Sequence, residues 1–247
     1  MVRNGPVTGL VAQVVVLASL AATVRLSIAG WATGLAYALI AMVLLRRALS
    51  RSGSTAFGPA DWVTLTRMSL VGGVAALTAD GLNRTVRVDV LVSIAVVALL
   101  LDWVDGRVAR RTGTASEFGA RFDMEVDSFL LLVLSVAAAR SAGAWVLVFG
   151  GMRYAFGAAG WVLPWMRAQL PPRYWRKVVA TAEGVVLVVA VADVLPRPLT
   201  LLALVATLFL LVESFGRDVL WLWRNRPIGR PRPGHDPAGA ESHDLSG

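Results

Sequence analysis

Long apolar runs separated by short polar stretches set the rhythm of this chain. They cover roughly residues 7–28, 31–48, 61–79, 88–109, 119–139, 143–165, 177–195 and 198–223. Each is close to the ~20 residues a helix needs to cross the hydrocarbon core of a bilayer. None alternates with a period of two, so a closed β-barrel, the other way to satisfy backbone groups in lipid, is not predicted. The expectation is an all-α integral membrane protein with eight helices. The first run is long for the apolar region of a secretion signal, and a second span follows at once, so it is read as a span rather than a leader. The segment LSRSGSTAFGPA (49–60) is polar and contains Gly and Pro. It divides the chain into two N-terminal transmembrane helices (1–50), a polar linker (51–60) and a six-helix core (61–223). The Pro/Gly-rich, polar remainder (224–247) is predicted to be disordered. No internal repeat is visible.

Charge orients the bundle. Arg46, Arg47, Arg51, Arg107, Arg110, Arg111, Arg167, Arg173, Arg176, Lys177, Arg224, Arg226, Arg230 and Arg232 fall in one set of connections, and Arg84, Arg87, Arg140 and Arg197 in the other. The positive-inside rule makes the first set cytoplasmic, with both termini inside. The net charge of +8 is thus explained by membrane orientation and calls for no nucleic acid. Composition agrees: 56% hydrophobic, 16% charged and a mean hydropathy of +0.65 are outside the range of an ordinary cytosolic enzyme. With no Cys, and with His235 and His243 both in the polar tail, thiolate chemistry, a His-ligated zinc site and a Ser/His/Asp triad are all excluded. Trp161, Trp165, Trp175, Trp221 and Trp223 fall near predicted interfaces, where an aromatic belt accounts for them.

The chemistry concentrates in DWVDGRVARRTGTASEFGARFDMEVD (102–127), which closes one apolar run and opens the next. Asp102 and Asp105 are i, i+3 and share a helix face, with Gly106 and Ala109 on the same face. Asp123 and Asp127 are i, i+4, with Gly119 one turn earlier. Two adjacent helices would each present two carboxylates over small residues that leave room for a ligand. Solvated helix ends would explain Asp102 and Asp105 but not Asp123 and Asp127, which run into an apolar helix. Carboxylates inside a span are costly and repel one another unless cations bind. Oxygen-only donors suit Mg²⁺ or Mn²⁺, and such ions commonly meet phosphate groups. The stretch therefore points to phosphoryl transfer at the inner membrane face.

Written out, Asp102-x2-Asp105-Gly106-x2-Ala109-Arg110-x8-Gly119-x3-Asp123-x3-Asp127 resembles the signature of the CDP-alcohol phosphotransferases, with every position filled. The resemblance covers about residues 60–223 and implies six core transmembrane helices. It says nothing of the first two. It implies transfer of a phosphoalcohol group from a CDP-linked alcohol, usually CDP-diacylglycerol, to the hydroxyl of a second alcohol, with release of CMP. Asp102, Asp105, Asp123 and Asp127 would hold metal, two ions of Mg²⁺ or Mn²⁺, and Asp127 would be the general base. Gly106, Ala109, Arg110 and Gly119, together with Asp102, would receive the nucleotide. A weaker match, Pro59-Ala60-Asp61-Trp62-Val63-Thr64-Leu65-Thr66-Arg67, adds Asp61, Thr64 and Arg67 to the nucleotide side. There Ala60 is inserted and Asp61 replaces the usual Asn; an N-cap Asp with an interfacial Arg, an ordinary helix start, is the competing account. The resemblance also implies membrane lipid as a partner, a homodimer, and an active site facing the cytoplasm of the cell's inner membrane.

The acceptor alcohol is written less clearly. Arg153 lies well inside its run with no acid nearby in sequence, so its partner must come from another helix or from a substrate anion. Arg121 with Glu125, and Glu213 with Arg217, are i, i+4 and suited to pair. The stretch Arg173–Glu183 looks like one in which glycerol-phosphate enzymes carry Lys-x-Lys-Thr and then Gln. Lys177 fits, whereas Val179 and Glu183 depart from it. Arg153, Arg176, Lys177 and Arg217 are the candidates for binding a polyol phosphate such as glycerol 3-phosphate or inositol phosphate. Glu183 and Glu213 would suit an amino alcohol. Two other readings fit less well. An intramembrane prenyltransferase of the UbiA type would use Asp123-x3-Asp127 but not the Asp105–Gly119 spacing. An ion-binding transporter would favour a midplane site and internal repeats.

Overall fold

A computed structural model describes the backbone of residues 5–52, 59–112, 117–168, 170–171 and 173–226, and their side chains except at 5–7, 47–52, 59–62, 105–112 and 117–122. The described residues contain eight α-helices and no strand: α1 (Gly5–Val24), α2 (Ile28–Ser52), α3 (Pro59–Asn83), α4 (Val88–Thr112), α5 (Glu117–Ala142), α6 (Leu147–Val162), α7 (Tyr174–Ala192) and α8 (Arg197–Arg224). Each apolar run coincides with one helix. The sixth is shorter than its run, because 3₁₀ turns at Ala144–Val146 and Pro164–Arg167 flank α6. Gly143 takes φ 99°, which only glycine adopts freely, and Leu163 before Pro164 is extended, as the proline ring requires. Most of the 51–60 linker, and the tail beyond Arg226, lie outside the described residues.

Among the described residues, α2 over Ile28–Arg46 and α8 over Arg197–Arg224 are long and apolar enough to cross a membrane, and the described apolar part of α1, Thr8–Val24, is shorter. Large apolar side chains face outward along the bundle, including Leu39, Ile40, Leu100, Leu202 and Phe209. So many exposed large apolar side chains suit lipid better than water.

Helix α3 is the hub. It packs against α1, α2, α4 and α5; α5 in turn meets α6 and α7, and α7 meets α4 and α8. The core is built from Val71, Val74 and Leu77 of α3, Ala95 and Ala98 of α4, Leu130 and Leu134 of α5, Leu187 of α7 and Leu204 of α8. Small residues let backbones approach without a hydrophobic drive between helices. A Cβ at Gly150 of α6 would run into the Cα of Leu132 on α5, and one at Gly72 of α3 would collide with Gln13 of α1. The N-terminal pair is thus seated on α3 and reaches α5 through α2.

The α1–α2 turn is tied down at the end of α3. Buried Asp80 accepts hydrogen bonds from the Ser27 backbone N–H (3.1 Å), the Ser27 hydroxyl and Arg84 (Nε 3.0 Å). Arg84 also donates to the carbonyl of Arg25. Arg25 therefore belongs to the sparsely basic end of the bundle, with Arg84.

Candidate active site

Three consecutive core helices supply the site. Arg67 of α3 is fully buried, and its guanidinium pairs with Asp102 of α4 and with Asp123 and Asp127 of α5 (3.3 Å to Asp127). It also reaches the backbone carbonyl of Asp123 (3.4 Å), while its Nε has no partner among the described residues. Asp123 and Asp127 stand one turn apart on α5, so a single face aims both at α3. The three carboxylate side chains remain 41, 30 and 36% exposed (Asp102, Asp123, Asp127), whereas the guanidinium is wholly enclosed. Solvent therefore reaches the site from the carboxylate side.

Magnitudes show why this arrangement is open to a ligand. One oxygen from each of Asp102, Asp123 and Asp127 lies within 4.8 Å of the others. At an effective dielectric of ~20, each carboxylate pair at such a separation repels by about 3 kcal/mol. The attractions to one guanidinium are of similar size, so they offset the repulsion, but the cluster keeps an excess of negative charge. Hard carboxylate oxygens converging this closely fit a divalent cation of the Mg²⁺ or Mn²⁺ type.

Of the residues singled out from sequence, the structure brings Arg67, Asp102, Asp123 and Asp127 together. Thr64 lies one turn before Arg67 on α3 and is half-buried. Asp61, Asp105, Gly106, Ala109, Arg110 and Gly119 fall where side chains are not described. Arg67, expected from sequence on the nucleotide side, stands among Asp102, Asp123 and Asp127.

The basic residues considered for the acceptor are not gathered with this cluster; most already have carboxylate partners. Arg153 of α6 pairs with Glu125 of α5 at 3.2 Å, which answers the question of its partner with another helix. Arg176 of α7 lies 3.4 Å from Asp218 of α8, with Arg173 at 4.0 Å from the same acid. Arg217 pairs with Glu213 along α8, and Trp175 donates to Glu213 at 3.2 Å. Lys177 is exposed. Glu183 is buried, and its Oε1 has no hydrogen-bond partner among the described residues.

Sequence reasoning missed Asp80, Gln13 and Tyr37. Asp80 and Gln13 are polar residues at the edge of or inside apolar runs, a signal that was there to read. Tyr37 was hidden, because a tyrosine in a membrane helix ordinarily marks an interface. Its position, about 14 Å along α2 from Ile28 at 1.5 Å per residue, is too deep for that.

A family model described as CDP-alcohol phosphatidyltransferase matches residues 57–213. The match takes in α3 through α7 and most of α8, and the three carboxylates with Arg67 all lie inside it. No curated protein and no solved structure matches the chain.

Proposed function

Because the chain belongs to the CDP-alcohol phosphatidyltransferase family and is a phosphotransferase, we propose that it moves a phosphatidyl group from CDP-diacylglycerol to the hydroxyl of a small polar acceptor and releases CMP, as a step in phospholipid synthesis. The observation that carries this reading is the convergence of Asp102, Asp123 and Asp127 around one buried Arg67, open to solvent on the carboxylate side.

In this reading Asp127 accepts the proton of the acceptor hydroxyl. The freed oxygen forms a bond to the phosphorus that carries diacylglycerol, and the bond from that phosphorus to the bridging oxygen of the diphosphate breaks. The electron pair leaves with CMP. A carboxylate within reach of the attacking hydroxyl suffices as the base when the leaving group is good. Asp102, Asp105, Asp123 and Asp127 would hold Mg²⁺ or Mn²⁺, two ions in this reading, whose charge neutralises the diphosphate and stabilises departing CMP. Arg67 fixes the carboxylates in one cluster. Asp61, Thr64, Gly106, Ala109, Arg110 and Gly119 would line the nucleotide side.

The finer architecture belongs to the same proposal. The family match begins at the entry to α3, which supports a six-helix core, α3–α8, with α1 and α2 as an addition. The distribution of Arg supports a multi-pass protein of the cell's inner membrane, with the site and both termini cytoplasmic. A homodimer follows from the family resemblance.

For the acceptor, a polyol phosphate such as glycerol 3-phosphate or inositol phosphate would meet Arg153, Arg176, Lys177 and Arg217. One observation favours a second reading, in which the acceptor is an unphosphorylated or amino alcohol: Arg153, Arg176 and Arg217 are each already matched by Glu125, Asp218 and Glu213. The test is CMP release by the purified protein in detergent with CDP-diacylglycerol, Mg²⁺ or Mn²⁺, and glycerol 3-phosphate, inositol 1-phosphate, myo-inositol, serine or ethanolamine. CMP produced with one acceptor supports the reading and identifies the alcohol. Acceptor turnover without CMP overturns it.

A further inference from the structure

Arg67 meets the carboxylate cluster from within the bundle. Its side chain is wholly enclosed, it is flanked along α3 by buried Leu65, Met68 and Val71, and α3 packs on α1, α2, α4 and α5. Its Nη1 pairs with Asp102 Oδ1, and its Nη2 pairs with Asp123 Oδ1 and, at 3.3 Å, with Asp127 Oδ1. Each carboxylate carries a second oxygen outside these pairings and is partly open to solvent. A cation from solvent therefore arrives on the side of the cluster away from the guanidinium. An arginine so enclosed cannot swing into solvent without unpacking α3. It is a resident positive charge of the site.

Charge balance shows what a resident cation does to the binding of ions. Asp102, Asp123 and Asp127 bring three negative charges, and Asp105, three residues after Asp102 along α4, brings a fourth. Glu125, the next acid on α5, is paired with Arg153. Two divalent ions would balance the four aspartates alone. With Arg67 among them, one ion leaves a single negative charge, and two ions leave a single positive one. Two divalent ions also repel each other about four times as strongly as two unit charges at the same distance. The second ion therefore needs an anion beyond the carboxylates. In the proposed reaction that anion is the diphosphate of the CDP-linked donor.

We propose that Arg67 sets the order in which the ions bind: by taking the place of one positive charge, it limits the substrate-free site to one divalent ion, and the second enters only with a nucleoside diphosphate. This rests on the phosphotransfer reading above and deepens it. Arg67 is a positioning residue, fixed in the core on the inner side of the carboxylates and acting on the substrate through the ions. The same charge clears the site after the reaction. CMP carries one phosphate where the donor carried two, so the second ion is held less firmly once the diphosphate is split.

The test counts Mn²⁺ bound per chain by electron paramagnetic resonance in detergent, with and without CDP, a nucleoside diphosphate that has no phosphatidyl group to transfer. Wild type binds one ion without CDP and two with it. Arg67→Lys, which keeps the charge, behaves as wild type. Arg67→Met, which removes it, binds two ions without CDP, because four carboxylates then balance both. Any other pair of counts on wild type overturns the proposal. So does a second ion on Arg67→Lys without CDP, or only one on folded Arg67→Met. If Arg67→Met does not fold, the counts on wild type and Arg67→Lys still decide. None of these readings needs turnover. Wild type that releases no CMP with any acceptor overturns the phosphotransfer reading itself, and that result is separate from the ion count.

Discussion

Two clusters of charge are tied to α3, one near each end, and they are built on opposite plans. At the sparsely basic end, the single carboxylate of Asp80 is fully supplied with donors: Ser27 through backbone and hydroxyl, and Arg84 through its guanidinium. At the other, three carboxylates share one guanidinium, remain partly open to solvent, and leave Arg67 Nε without a partner among the described residues. The first cluster is closed and satisfied, which is what a structural tie requires. The second carries surplus charge facing an opening, which is what a site for a cation and a phosphate requires. Burial and the balance of donors against acceptors separate them in the same sense: Asp80 is enclosed and well supplied with donors, whereas Asp102, Asp123 and Asp127 are partly exposed and share one guanidinium.

The largest test of that contrast is to remove one carboxylate from each. Asp127→Asn should reduce CMP release by at least about 100-fold, the lower range for loss of a general base, and leave the thermal midpoint near that of wild type because it relieves repulsion within the cluster. Asp80→Asn should do the reverse, lowering stability by about 1–3 kcal/mol with turnover per folded molecule retained. Urea or thermal unfolding in detergent beside the CMP assay reads both. If Asp80→Asn were as inactive as Asp127→Asn while remaining folded, the division into a structural and a functional cluster would be wrong.

Removing the shared cation comes next. Arg67→Met leaves three facing carboxylates without their counter-charge, a loss of about 3–5 kcal/mol for a broken buried pair. Added Mg²⁺ should raise the thermal midpoint of this variant more than that of wild type, since a bound ion replaces the missing positive charge. An equal shift in both would mean that the carboxylates do not bind the ion. In wild type, chelation with EDTA should abolish CMP release and re-addition of Mg²⁺ or Mn²⁺ restore it, with Asp80→Asn responding in the same way.

The smallest effect is expected at the α5–α6 pair. Arg153 and Glu125 are both about half exposed, so Glu125→Gln should change stability by less than about 1 kcal/mol. Its use is in the acceptor question. If the acceptor is a polyol phosphate, freeing Arg153 lowers the acceptor KM. If it is unphosphorylated, the KM stays where it was.

Periodicity explains what could be read from the chain and what could not. The apolar runs were long enough to locate all eight helices, and the i, i+3 and i, i+4 spacings placed Asp102 with Asp105 and Asp123 with Asp127 on their faces. Those are local properties of one helix. Which helices meet is not local. Arg67 is 35 residues from Asp102 and 56 from Asp123, and nothing in its own turn of helix announces the carboxylates it joins. Arg153 likewise finds Glu125 across a helix interface, 28 residues away. Tyr37 stacks on Phe129 in the same way, 92 residues along the chain, only because α2 lies against α5.

The account stands or falls on Asp127 within a site that makes CMP. The direct measurement is CMP release from CDP-diacylglycerol with Mg²⁺ and the acceptor panel, by wild type, Asp127→Asn and Asp80→Asn purified side by side. The expected result is CMP with one acceptor from wild type and Asp80→Asn, and none above background from Asp127→Asn. Full CMP release by folded Asp127→Asn would contradict the account.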